Sequence, residues 1–316
     1  MGCHVSAATA TVTPSATIQP RQANGTRDNQ SMKDEQSHLM YAQLFKELTN
    51  QIDENDRSRI ISYCSDLYIE ENLADSIEKN SELNTLTNFM REKIQDDDPI
   101  CSIGHLMLEI GSYERAEYIY LKALSTQQDD WIRQASLLNN LGKVHQEQEN
   151  YVKALEYYQK AVELQHRHLP EDHCSLSIDY SNIGSVYQKQ NKYDLALEYF
   201  QRALNIEMNS AQKDDELVAL FTNNIGLVYN DQKNFSQGLV YHEKSLEMND
   251  KLLPSTHPTL ALSHHNLAIS LFFLGRLQQA LEHAKKAVDI TSQSLPNGHP
   301  QRDAHQDLMN NIQRKT

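Results

Sequence analysis

Four asparagines, Asn140, Asn182, Asn224 and Asn266, follow one another at intervals of 42 residues. An amide side chain donates and accepts hydrogen bonds at once, so a regular row of them can read the backbone of a bound peptide. Asn is also a poor residue for a helix interior, several tenths of a kcal/mol worse than Ala. Four recurrences in one register therefore call for a compensating use. Two uses compete: contacts to a guest peptide, or hydrogen bonds inside each asparagine's own helix pair. The residues three places further on are Lys143, Ser185, Leu227 and Ile269. Lys143 and Lys189 could meet a ligand carboxylate, although ordinary solvated lysines are the reading that surface energetics favours.

Other chemistry finds little support. His166, His168, His173 and Cys174 lie close together, but zinc-ligand spacings are missing. His173, His257 and His299 share one linker position, so their recurrence belongs to a repeat rather than to a metal; no metal and no cofactor is expected. Gly-rich phosphate loops, His-Glu-x-x-His and Gly-x-Ser-x-Gly are absent, and the sequence reads as a non-enzyme. Asp129-Asp130 and Asp96-Asp97-Asp98-Pro99 fit helix starts, where carboxylates cap exposed amides.

At the other end, Met1-Gly2-Cys3-His4-Val5-Ser6 matches the pattern for myristoylation of Gly2, with Cys3 placed for palmitoylation. Two acyl chains anchor durably where one does not. The first basic residue is Arg21, which leaves little electrostatic support. A chance match in a polar tail stands as the alternative.

Composition narrows the classes. Gly (10) and Pro (8) are scarce in 316 residues, which favours helix over sheet. The net charge of −14 repels phosphate backbones, so nucleic acid is not an expected partner. No apolar run approaches the ~20 residues that span a bilayer. Scattered cysteines (Cys3, Cys64, Cys101, Cys174) and a start without a basic, apolar leader point to a cytoplasmic setting with free thiols. Acylation would put the chain at the cytoplasmic face of a membrane.

The elements that must position the asparagines repeat with them. Asn139-Asn140-Leu141-Gly142, Ser181-Asn182-Ile183-Gly184, Asn223-Asn224-Ile225-Gly226 and His265-Asn266-Leu267-Ala268 share one register. So do Tyr151, Tyr193, Phe235 and Leu277; then Ala154, Ala196, Gly238 and Ala280; then Ala161, Ala203, Ser245 and Ala287. An earlier copy carries Gly104, Tyr113, Ala116, Tyr120 and Ala123. Apolar steps of three and four residues place each set on one helical face. Breaks such as Glu149-Asn150 divide every unit into an A and a B helix.

This pattern resembles the tetratricopeptide repeat. The long period and the linkers Leu169-Pro170…His173, Leu253-Pro254…His257 and Leu295-Pro296…His299 resemble the variety found in kinesin light chain and nephrocystin-3. Two departures stand out: Ala284, where an aromatic is usual, and Asn209–Asp215, which lacks Leu-Pro. The resemblance implies an all-α fold, an α-solenoid of about five helix pairs with a C-terminal capping helix and a short helical N-terminal lead. The expected divisions are a disordered tail at 1–37, a helical segment at 38–97, repeats at 98–126, 129–166, 173–208, 215–250 and 257–292, and the cap at 299–314. It also implies a scaffold holding a protein or peptide in a concave groove lined by A helices. A kinesin-light-chain-like cargo adaptor is the narrower version, weakened because 38–97 holds no sustained heptad for a motor subunit. A self-associating structural protein is the rival class.

Overall fold

The computed structural model describes residues 101–315, apart from 102, 103, 106, 109, 110, 127–129, 212, 296 and 297. The expectations for 1–37 and 38–97, and for Gly2 and Cys3, lie outside the described residues. Among those described, all regular structure is helical. Ten helices are bounded: α1 (Tyr113–Thr126), α2 (Trp131–Glu147), α3 (Tyr151–His166), α4 (Ser175–Lys189), α5 (Tyr193–Asn209), α6 (Asp215–Asp231), α7 (Phe235–Leu252), α8 (Pro258–Phe273), α9 (Leu277–Ser294) and α10 (Pro300–Gln313). They divide into two compact units, one reaching His168 and one beginning at Leu169. The first holds α1 to α3, the second α4 to α10. Within each unit the A and B helices of a repeat pack tightly, and a B helix packs on the next A helix.

The packing rule inside a pair is ring against glycine. Gly104 faces Tyr120, Gly142 faces Tyr158, Gly184 faces Phe200 and Gly226 faces His242. A Cβ built on Gly142 would stand 2.5 Å from the Tyr158 ring, closer than real atoms approach. Glycine thus lets a flat ring sit directly on the A-helix backbone. Tyr120, Tyr158 and Phe200 are almost wholly buried, and burying such a side chain stabilises by about 1.5–3 kcal/mol. The fifth repeat solves the same space differently. Ala284 replaces the ring and Ala268 replaces the glycine, both fully buried. The loss of the aromatic is therefore matched by a methyl on the opposite helix.

Helix ends explain the recurring linkers. His173, His257 and His299 each accept a hydrogen bond at Nδ1 from the backbone N–H two residues on, at 3.3 Å in all three. Pro258 and Pro300 follow as first helical residues, where a missing N–H costs nothing. His257 and His299 are N-caps, and His173 makes the same bond from one residue before the N-cap, Cys174. Before α6, where Leu-Pro is lost, Asp214 caps Glu216 and Leu217. The buried Glu207 carboxylate accepts from the Asp214 N–H at 2.8 Å and from Ser177 Oγ at 3.0 Å. Every bounded A–B turn is closed by a residue with positive φ: Glu149, Asn191, Lys233 and Gly275.

Candidate functional site

The side chains that join successive A helices form the most organised polar feature of the molecule. In the first unit, Asn140 is buried and its Oδ1 accepts from His105 Nε2 at 3.1 Å. Its Nδ2 points to Cys101 Sγ at 3.9 Å. In the second unit, Asn266 is 1 % exposed and donates from Nδ2 to Asn223 Oδ1 at 3.0 Å. Asn223 Oδ1 also accepts from His242 Nδ1 at 3.2 Å. The other nitrogen of that ring, Nε2, accepts from Asn230 Nδ2 at 3.2 Å. Asn230 in turn exchanges hydrogen bonds with Ser270. Asn266, Asn223, His242, Asn230 and Ser270 thus tie α8, α6 and α7 together. Burial pushes the His242 pKa down to about 3, in keeping with a neutral ring that donates at Nδ1 and accepts at Nε2. Between α4 and α6, Gln188 donates to Asp231 at 2.6 Å.

The asparagine row therefore divides. Asn140 and Asn266 spend their amides on the preceding A helix. Those bonds run to the neighbouring repeat rather than within their own helix pair. Asn224 is also buried, while Asn182 keeps partial exposure. Lys143 is half-buried and Lys189 exposed. The His242-centred network was not expected from sequence. The signal for it was present in the ring position, where His242 replaces the Tyr or Phe of other repeats.

Beside these cross-links the second unit presents two rows of side chains, one helical turn apart. Ser185, Leu227 and Ile269 form one row on α4, α6 and α8. Lys189, Asp231 and Phe273 form the other. The surface is polar on α4 and apolar on α8. Phe273 is 52 % exposed although it stacks on Phe235 at a ring separation of 4.4 Å. A separate open cleft of about 390 Å³ lies along α5, lined by Glu198, Arg202, Asn205 and Ile206 among others. The asparagine row does not reach it.

Among the described residues, no three His, Cys, Asp or Glu side chains are grouped to hold an ion. His168 stacks on Trp131 at 4.7 Å, and His173 accepts from the Ser175 N–H. Also among the described residues, no helix is long and apolar enough to cross a membrane.

Comparison with known proteins places this geometry. The family model for the tetratricopeptide repeat matches residues 133–207 and 217–293. Among solved structures, BtubC (BKLC) from P. vanneervenii is 20 % identical with a TM-score of 0.54, over 69 % of this chain and 92 % of that one. A putative kinesin light chain of Podosopora anserina with nearly identical TPR-like repeats is 21 % identical with a TM-score of 0.50, over 59 % and 88 %. The Cut9–Hcn1 hetero-tetramer of the APC/C aligns at 17 % identity and a TM-score of 0.50, over 76 % of this chain and 40 % of that one. At such identities the likeness is one of fold. No match was found among curated protein sequences.

The cross-link assignment predicts unequal costs along the row. Asn266→Ala should destabilise the chain by about 0.5–1.5 kcal/mol, because the buried bond to Asn223 is lost. Asn182→Ala should cost under about 0.5 kcal/mol, as partly exposed substitutions usually do. Urea unfolding of both variants checks this, and equal costs would remove the distinction.

Proposed function

This chain is a tetratricopeptide repeat protein, and we infer from that family and from the A-helix surface described above that it is a non-enzymatic scaffold for partner polypeptides. The guest would be an extended peptide lying across α4, α6 and α8, with polar groups toward Ser185 and Lys189 and an apolar side chain toward Ile269 and Phe273. One observation carries the reading. The buried register repeats from unit to unit, whereas the side chains beside it that keep some exposure change chemistry at each step: Ser185 and Ile269, then Lys189, Asp231 and Phe273, with Leu227 buried between the first two. A purely structural array has no need of that variation. A binding surface does, since unlike side chains along a line distinguish one peptide from another.

The asparagines contribute in two ways under this reading. Asn140 and Asn266 hold A helices in register, so that the accessible rows stay aligned. Asn182 is the member best placed to touch a guest, with Asn224 beside it. Lys189 supplies positive charge at the margin, where rim charges affect encounter more than affinity. Selection of short random peptides displayed against the full chain is the direct test. Selected peptides should lose about tenfold in affinity, or ~1.4 kcal/mol, with Phe273→Ser and with Asn182→Ala, at unchanged circular dichroism. Peptides indifferent to both substitutions would count against this surface.

The Met1-Gly2-Cys3 start motivates a second element of the proposal, a scaffold tethered by acyl chains at a membrane surface. Cells fed an alkyne analogue of myristate should label the wild-type chain and not Gly2→Ala. No label on the wild type, or equal label on both, would remove the tether.

A further inference from the structure

Helix α8 carries two adjacent histidines, and each meets a histidine of a different neighbouring helix, nitrogen to nitrogen. His265 faces His305 of α10 with Nδ1 atoms 2.8 Å apart. His264 faces His283 of α9 with Nδ1 atoms 3.0 Å apart. A ring nitrogen is either a donor or an acceptor. Each contact therefore needs one Nδ1–H and one bare Nδ1, which two neutral rings supply when their tautomers differ. Two charged rings cannot supply it, because both Nδ1 atoms then carry hydrogen.

The two pairs differ in what surrounds them. Near His264 and His283 stand Glu282, Asp250 and Lys286. These carboxylates can offset a proton, and His283 is half-buried. His265 and His305 are 5 % and 3 % exposed. Among the described residues, the titratable groups acting on that pair are the two rings themselves and His299 at the start of α10. A proton arriving there finds no counter-ion and little water.

This contact is one of three buried footholds of helix α10. Its buried residues are His305, Leu308 and Ile312. The two aliphatic side chains enter a cluster with Leu267, Leu271, Ala280 and Ala284 of the fifth repeat. Helix α10 packs on α8 and α9 alone among the bounded helices with substantial contact. One of its three buried side chains is thus a ring whose burial opposes the charged form.

We propose that α10 is an acid-released cap: proton uptake by the His265–His305 pair undocks α10 from the fifth repeat and uncovers the apolar side of α8 and α9. The direction follows from linkage. Burial pushes His265 down to about 3 and His305 down to about 4, from an ordinary value of 6.5. The docked form therefore binds fewer protons than the released form between those limits. Docking is at full strength above the ordinary value and weakens as pH falls through it. At about pH 5, each ring that becomes hydrated on release shifts the equilibrium toward release by roughly 30-fold.

Hydrogen–deuterium exchange of the full wild-type chain tests this, with rates corrected for their intrinsic pH dependence. Between about pH 7.5 and about pH 5, opening of α10 should rise by roughly 30-fold or more, while α4 and α5 in the same unit change by less than about threefold. The His305→Leu chain should lose that ring's share of the α10 response, roughly 30-fold; His265→Leu serves if that variant does not fold. Unchanged α10 protection at the lower pH would overturn the proposal. Loss of protection across α6 to α9 in step with α10 would overturn it as well, since that is general acid unfolding rather than release of a cap.

Discussion

A flat ring lying on a helix backbone is the contact on which the rest of the structure depends. The pairs Gly142–Tyr158 and Gly184–Phe200 set how closely A and B helices approach. That separation sets the angle at which each hairpin presents its outer faces to the next. A helix pair of this size cannot bury its apolar side alone, so stacking follows from the same contact. The fifth repeat shows the same exclusion from the other side. Where Ala284 stands in the ring position, Ala268 carries the methyl that a ring would not allow, and both are fully buried.

Once the pairs are fixed, lateral order among A helices falls to polar side chains. Asn266, Asn223, His242 and Asn230 make a chain of hydrogen bonds in which each buried nitrogen of the imidazole has a partner. Such networks are costly when incomplete, because a buried polar group without a partner retains its full desolvation penalty. Specificity of register is what they provide in return. A surface meant to read a peptide needs rows of side chains at constant spacing, and cross-linked A helices keep that spacing. The proposed function thus rests on the network as much as on the accessible residues beside it.

Much of this was legible in the residues alone. The 42-residue recurrence of Leu/Ile-Gly, ring and Ala named the helices, their pairing and the residues between them, because sterics at those positions allow few side chains. The linker histidines were read from their recurrence as part of the repeat, though the bonds they make at the starts of α4, α8 and α10 needed coordinates. The asparagine row was harder. An amide suits a peptide backbone and a neighbouring helix equally well, and spacing cannot say which lies opposite. Only placement shows Asn140 against His105 and Asn266 against Asn223. The histidine pairs were hidden for a similar reason: His265 and His305 are far apart in sequence and belong to no shared motif. The match of Ala268 with Ala284 was visible in the residues, but only a model of ring on glycine gives the exchange its meaning.

The most direct test of the ring-on-glycine constraint is a double-mutant cycle at Gly142 and Tyr158, read by urea unfolding of the full chain. In the wild-type background Gly142→Ala should destabilise by about 1–3 kcal/mol, because the new methyl meets the ring. In the Tyr158→Ala background the same substitution should stabilise by up to about 1 kcal/mol, because the methyl fills vacated space and Ala favours helix. A change of sign is the predicted result. The same cost in both backgrounds would contradict the account.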